Sequence, residues 1–151
     1  MTHLKVGDKA PNFEALDQDG NTIKLSDYKG KKLVVFFYPK ASTPGCTAEA
    51  CNLNDNFKRF ESQNYAILGV SADSQKRQSN FKKKYGFEYP LLADEDKSVI
   101  EAFGVWGPKK FMGKEYDGIH RTTFVIDEDG VLEDVILKVK TKAHAEQILD
   151  A

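Results

Sequence analysis

Two cysteines, Cys46 and Cys51, lie five positions apart in a chain of 151 residues and are its only thiols. Met1 to Ala10 carries Lys5, Asp8 and Lys9 and lacks the apolar stretch of roughly 7 to 15 residues that marks a secretory signal. The expectation is a cytoplasmic protein, and in a reducing compartment paired cysteines are more often catalytic or metal-binding than structural staples. Zinc needs about four ligands, whereas His3, His120 and His144 stand far from the cysteines and from one another with no finger-like spacing. Metal is the weaker reading, and no cofactor is expected. The bland alternative is that two small buried hydrophobes happen to be cysteine, so the neighbouring residues must decide.

Tyr38 to Thr47 reads as a strand end, a loop and a helix start. Thr43 fits an N-cap, Pro44 fits the first helical position, and Gly45 lets backbone or substrate approach closely, which puts Cys46 in the first turn. First-turn N–H groups and the helix dipole favour a thiolate there, and a thiolate is a nucleophile. If Cys51 continues the same regular helix, the two Cα atoms are about 8.7 Å apart. Disulfide bridging needs them within about 7 Å, so oxidation of the pair requires the first turns of the helix to unwind. The competing reading, that Cys51 is simply a packed helix residue, stays open on spacing alone.

The elements around this pair follow from hydrophobic patterning. Leu33 to Tyr38 is a short β-branched and aromatic run, read as a central strand buried on both faces. Thr47 to Gln63 carries apolar residues near helical spacing, Tyr65 to Ser71 is a second buried strand, and Ser74 to Tyr85 is a charged helix ending near Gly86. This βαβα order argues for a parallel sheet with crossover helices. Ser98 to Phe103 reads as a short helix, Gly107 to Gly118 as a long loop, and Thr122 to Ile126 with Val131 to Val139 as a hairpin around Asp129-Gly130. Thr141 to Leu149 supplies a last helix with Thr141 as its cap, and the stretches around Phe13 and Ile23 form a small edge hairpin. The fold class is α/β, a thioredoxin-like central mixed sheet flanked by helices, in one domain over residues 1–151.

Composition narrows the partners. The 22 Lys and Arg against 23 Asp and Glu give a net charge of −1, without the basic excess that phosphate neutralisation requires, so no nucleic acid is expected. The apolar run Leu33 to Tyr38 falls far short of the roughly 20 residues that cross a bilayer, so no membrane span is expected.

Pro39, Thr43, Pro44, Gly45 and Cys46 match the Pro-x-x-x-Thr-x-x-Cys pattern of peroxiredoxins. The longer run from Tyr38 through Cys51 resembles the bacterioferritin comigratory protein, or peroxiredoxin Q, subfamily. The likeness extends along the chain through Gly7-Asp8-x-Ala10-Pro11-x-Phe13, Phe103 to Gly107, Phe111 to Lys114 and Gly118 to Phe124. The resemblance implies a thiol peroxidase acting on hydrogen peroxide and organic hydroperoxides. It implies Cys46 as the peroxidatic thiolate that becomes a sulfenic acid, and Cys51 as the resolving cysteine that closes an intrachain disulfide. Thr43 would hydrogen-bond thiolate and peroxide, Pro39 would shield the pocket, and Arg121 would hold the thiolate and the transferring oxygen. Thioredoxin or a similar dithiol would reduce the disulfide, and an intrachain partner removes any chemical need for a dimer, so a monomer is expected. Glu49 is a further candidate beside the site, while His120, next to Arg121 on an alternating strand, should point away from the sulfur. The family usually has arginine where this chain has Asn54, which puts a helix-stabilising salt bridge from that position in doubt. The rivals are a thioredoxin-like dithiol-disulfide oxidoreductase, disfavoured because that chemistry prefers Cys-x-x-Cys, and a non-catalytic thiol-bearing binding module.

Overall fold

The computed structural model describes residues 2–150. A small hairpin comes first, β1 (Glu14–Leu16) against β2 (Thr22–Lys24), and the Asp17 carboxylate closes its turn by accepting from the N–H groups of Asp19 and Asn21 at 2.8 and 2.9 Å. The long apolar run then forms β3 (Lys32–Phe37). Next come α1 (Pro44–Asp55), α2 (Phe57–Ser62), β4 (Tyr65–Ser71), α3 (Gln75–Tyr85), β5 (Leu91–Ala93) and α4 (Ser98–Ala102). A hairpin of β6 (Trp106–Phe111) and β7 (Lys114–Ile119), a second of β8 (Thr122–Ile126) and β9 (Leu132–Ile136), and α5 (His144–Leu149) complete the order.

Five strands make the mixed sheet in the order β5-β4-β3-β8-β9, with β3 parallel to β4 and antiparallel to β8. Successive side chains of β3 point to opposite faces and so divide the core. Leu33, Val35 and Phe37 pack with Phe13, Ile100, Phe103 and Phe124 on one side. Val34, Phe36 and Tyr38 pack with residues of α1, α2, α3 and α5 on the other. The thioredoxin-like mixed sheet with helices on both faces is therefore present, and Cys46 belongs to the second face.

Several local expectations need correction. The stretch Thr47 to Gln63 is two helices, because Asn56 leaves helical geometry and its side-chain amide turns back to donate to the Asn52 carbonyl at 2.8 Å. Gly107 to Gly118 is not a loop but most of the β6–β7 hairpin. Its turn residues Met112 and Gly113 have φ of 51° and 80°, and a methionine in left-handed backbone carries none of the Asn-Gly or Asp-Gly signal that announces such turns. Leu91–Ala93 adds a fifth strand too short for its pattern to be read. The second hairpin's return strand stops at Ile136, and α5 starts at His144 with Ala143, not Thr141, at its cap. Among the described residues no helix is long and apolar enough to cross a membrane.

Candidate active site

The chain leaves β3 through Tyr38 and Pro39 and turns back over the second face of the sheet. Asp73, just beyond β4, fixes this turn: its carboxylate accepts from the Ala41 N–H and from the Ser71 hydroxyl, each at 2.7 Å. Helix α1 then begins at Pro44 with Thr43 at the N-cap position, as the sequence predicts, and the Thr43 carbonyl accepts the Thr47 N–H at 2.8 Å. The Thr43 hydroxyl does not cap the helix. It donates to the Lys40 carbonyl at 2.8 Å and so stiffens the loop instead. Pro39 is half-buried at the start of the same loop, and Cys46 sits in the first turn of α1, 1% exposed, against Tyr38 and Ala50.

Arg121 reaches this sulfur from the neighbouring strand. It stands one residue before β8, whose Thr122 pairs with Phe37 at the end of β3, so the sheet register aims it at the start of α1. Nη2 donates to Cys46 Sγ at 3.4 Å and Nη1 donates to Glu49 Oε1 at 2.8 Å. Gly45 makes room for the guanidinium, since a Cβ there would lie 3.2 Å from Nη2. Burial disfavours the Arg121 charge, but Cys46 and Glu49 together outweigh it and hold the guanidinium above its ordinary value.

Behind Arg121 lies a buried polar chain. Glu49 has no exposed surface, and its Oε2 has no hydrogen-bond partner among the described residues. Burial pushes this carboxyl up to about 7, against the pull of Arg121. His144 Nε2 lies 3.5 Å from Oε2 and 2.7 Å from the Thr123 hydroxyl. The histidine tautomer follows from Gln147, whose amide nitrogen donates to the Lys138 carbonyl at 3.0 Å and whose Oε1 accepts from the Lys140 N–H at 2.7 Å. That oxygen faces His144 Nδ1 at 2.8 Å, so Nδ1 carries the proton and Nε2 is an acceptor. Burial holds His144 below its ordinary value, against the Gln147 hydrogen bond and helped by the Arg121 charge. His144 Nε2 has one lone pair and spends it on the Thr123 hydroxyl, so Glu49 Oε2 faces His144 without a hydrogen bond.

The structure thus brings Cys46, Arg121 and Glu49 together and adds His144 and Thr123, which sequence reasoning missed. The available signal was a histidine on the apolar face of the last helix, beside Ala145 and Ile148. Cys51 stays apart, half-buried on α1, its thiol pushed up by burial and by Asp55, and both cysteines are free. His120 turns away from the sulfur and donates from Nε2 to the Pro108 carbonyl at 3.0 Å. Where Asn54 left a helix-stabilising salt bridge in doubt, the helix is tied by side-chain amide bonds instead.

A buried thiol at a helix start, with an arginine on its sulfur, fits thiol redox chemistry on a thioredoxin-like sheet. That is the architecture of the peroxiredoxins. A cysteine-to-serine variant of Xylella fastidiosa PrxQ matches with a TM-score of 0.92 at 34% identity, over 99% of this chain and 96% of that one. The Xanthomonas campestris bacterioferritin comigratory protein matches with a TM-score of 0.88 at 35% identity, over 99% and 96%. In sequence the chain is 48% identical to Peroxiredoxin Bcp of Escherichia coli (strain K12) over 150 residues, 99% of this chain and 96% of that protein. The model of the AhpC/TSA family matches residues 6–135, and the chain belongs to that family, among its Bcp and peroxiredoxin Q members. It is a thiol peroxidase, an oxidoreductase that takes a hydroperoxide and a thiol reductant.

Proposed function

We propose that this single-domain chain, residues 1–151, works as a cytoplasmic monomer that reduces hydrogen peroxide and organic hydroperoxides at the expense of thioredoxin or a similar dithiol. Neither nucleic acid nor membrane is a partner. The observation that carries the site assignment is the Arg121 Nη2 contact with Cys46 Sγ at 3.4 Å. The Cys46 thiolate attacks the distal peroxide oxygen, the O–O bond breaks, and the leaving oxygen departs as water or an alcohol once protonated. Arg121 holds the nucleophile and the oxygen that develops charge, Thr43 hydrogen-bonds thiolate and peroxide once its hydroxyl turns from the Lys40 carbonyl, and Pro39 keeps bulk water from the pocket. Cys51 then attacks the Cys46 sulfenic sulfur: an S–S bond forms, the S–O bond breaks, and the hydroxyl leaves with the thiol proton as water. Dithiol exchange restores both thiols. The alkyl peroxide reduction activity described for the Xanthomonas campestris relative supports organic hydroperoxides as substrates.

Intact mass after one equivalent of hydrogen peroxide tests the roles. Wild type should lose two hydrogens, Cys51→Ser should accumulate a sulfenic species, and Cys46→Ser should not react comparably. Cys51→Ser should also lose thioredoxin-supported cycling and over-oxidise faster; sustained turnover in that variant would remove Cys51 from the mechanism.

A further inference from the structure

Helix α1 is fastened to two neighbouring segments just beyond Cys51 by side chains that take no part in sulfur chemistry. Asn52 bridges to the start of α5: its Oδ1 accepts the Ala145 N–H at 2.7 Å and its Nδ2 donates to the Lys142 carbonyl at 3.2 Å. Asn54 bridges to the turn after α3: its Oδ1 accepts the Glu88 N–H at 2.8 Å and its Nδ2 donates to the Gly86 carbonyl at 3.2 Å. Each asparagine uses both ends of one amide to satisfy a donor and an acceptor in a separate loop. The result is a pair of two-point clamps one helical position apart from Cys51 and three positions apart from it. From the inner side, the Tyr89 hydroxyl donates to the Ala50 carbonyl at 2.7 Å.

These ties bear on the disulfide step. On a regular helix the Cα atoms of Cys46 and Cys51 are about 8.7 Å apart and their side chains project about 140° apart, too far for an S–S bond. One of the two must leave helical geometry. Cys46 is 1% exposed and bonded to Arg121, whereas Cys51 is half-buried at the surface of α1. Cys51 is the less buried of the two, and the clamps lie on its half of the helix.

We propose that Asn52 and Asn54 are positioning residues that hold the Cys51 half of α1 wound and set how fast Cys51 reaches the oxidised Cys46. The inference rests on the reading of Cys51 as the resolving thiol. It makes the lifetime of the sulfenic acid, and with it the susceptibility of Cys46 to further oxidation, a property of two amide side chains. Loss of either clamp removes two hydrogen bonds to backbone while leaving Cys46, Arg121 and Glu49 untouched.

The test is rapid-mixing kinetics on full-length wild type, Asn52→Ala, Asn54→Ala and the double variant, following sulfenic acid formation and disulfide formation as separate phases, with intact mass scored for sulfinic acid at excess hydrogen peroxide. Each single variant should form the disulfide about tenfold faster, the loss expected for two solvent-adjacent hydrogen bonds, and should yield less sulfinic acid, with an unchanged rate of sulfenic acid formation. Asn54→Asp, which keeps the acceptor for Glu88 N–H and loses the donor to Gly86, should fall between. A variant that is merely destabilised slows the peroxide phase too, so an altered ratio of the two phases is the readout. An unchanged or slower disulfide phase in the variants, with a normal disulfide in wild type, overturns the clamps. Absence of any disulfide in wild type overturns the resolving role of Cys51 beneath them.

Discussion

Glu49 is the residue whose chemistry departs furthest from its type. A carboxyl raised from 4.5 to about 7 binds its proton more tightly in the folded chain than in the unfolded one. The stability linked to that proton is fully present below 4.5 and is lost as pH rises through about 7. Replacing Glu49 with Gln removes the titration while keeping an acceptor for Arg121. Denaturant unfolding across this range should show wild type losing about 3 kcal/mol more than Glu49→Gln as pH rises; parallel curves would mean that the carboxyl is ionised throughout. At this scale the site was legible where residue type and local spacing suffice. Cys46 follows from Thr43-Pro44-Gly45 and the helix start, and Arg121 follows from the family pattern. His144 and Thr123 were not legible, because what recruits them is packing between α5 and β8 over a gap of 21 positions, and neither sits in a local motif.

At the scale of elements, the first turn of α1 and the lead into β8 have to fit one another. Gly45 is poor for a helix, yet its missing Cβ is where the Arg121 guanidinium lies, 3.2 Å from the position a Cβ would take. Gly45→Ala should therefore act in opposite directions on two quantities. The thermal midpoint should hold or rise, since alanine gains up to about 1 kcal/mol over glycine in a helix. The rate of the peroxide phase should fall about three- to tenfold, because Nη2 is displaced from Cys46 Sγ. A variant as fast as wild type would show that the guanidinium finds the sulfur without that space. Elements were readable wherever periodicity ran long enough, as in β3, β4 and α3, which ends at Gly86 with φ of 67° as its pattern predicts. They were unreadable where a turn rests on an untypical residue. Met112 and Gly113 close β6 on β7, and the sequence there reads as loop because Pro108 and three glycines break any alternation.

For the whole molecule, the sheet is the partition between two cores, and Gly69 in β4 is a closely packed point in it. A Cβ at Gly69 would lie 2.7 Å from Leu91 Cδ2 and 2.9 Å from Phe36 Cζ, both in the core that carries Cys46. Phe36 is itself pinned by Tyr38 and Tyr89, with ring centroids 5.4 and 5.7 Å away. Gly69→Ala should cost about 1 to 3 kcal/mol in denaturant unfolding, and a neutral result would show that Phe36 or Leu91 has room to shift. The same sheet joins positions 46 and 121, which are 75 apart in sequence, through the pairing of Phe37 with Thr122. A chain emerging from the ribosome carries both thiols long before it carries the guanidinium. On the proposed roles, until β8 has been synthesised and has zipped onto β3, Cys46 lacks the arginine contact that steadies an oxyanion. The proposed site is therefore completed late in biosynthesis, as a by-product of strand pairing.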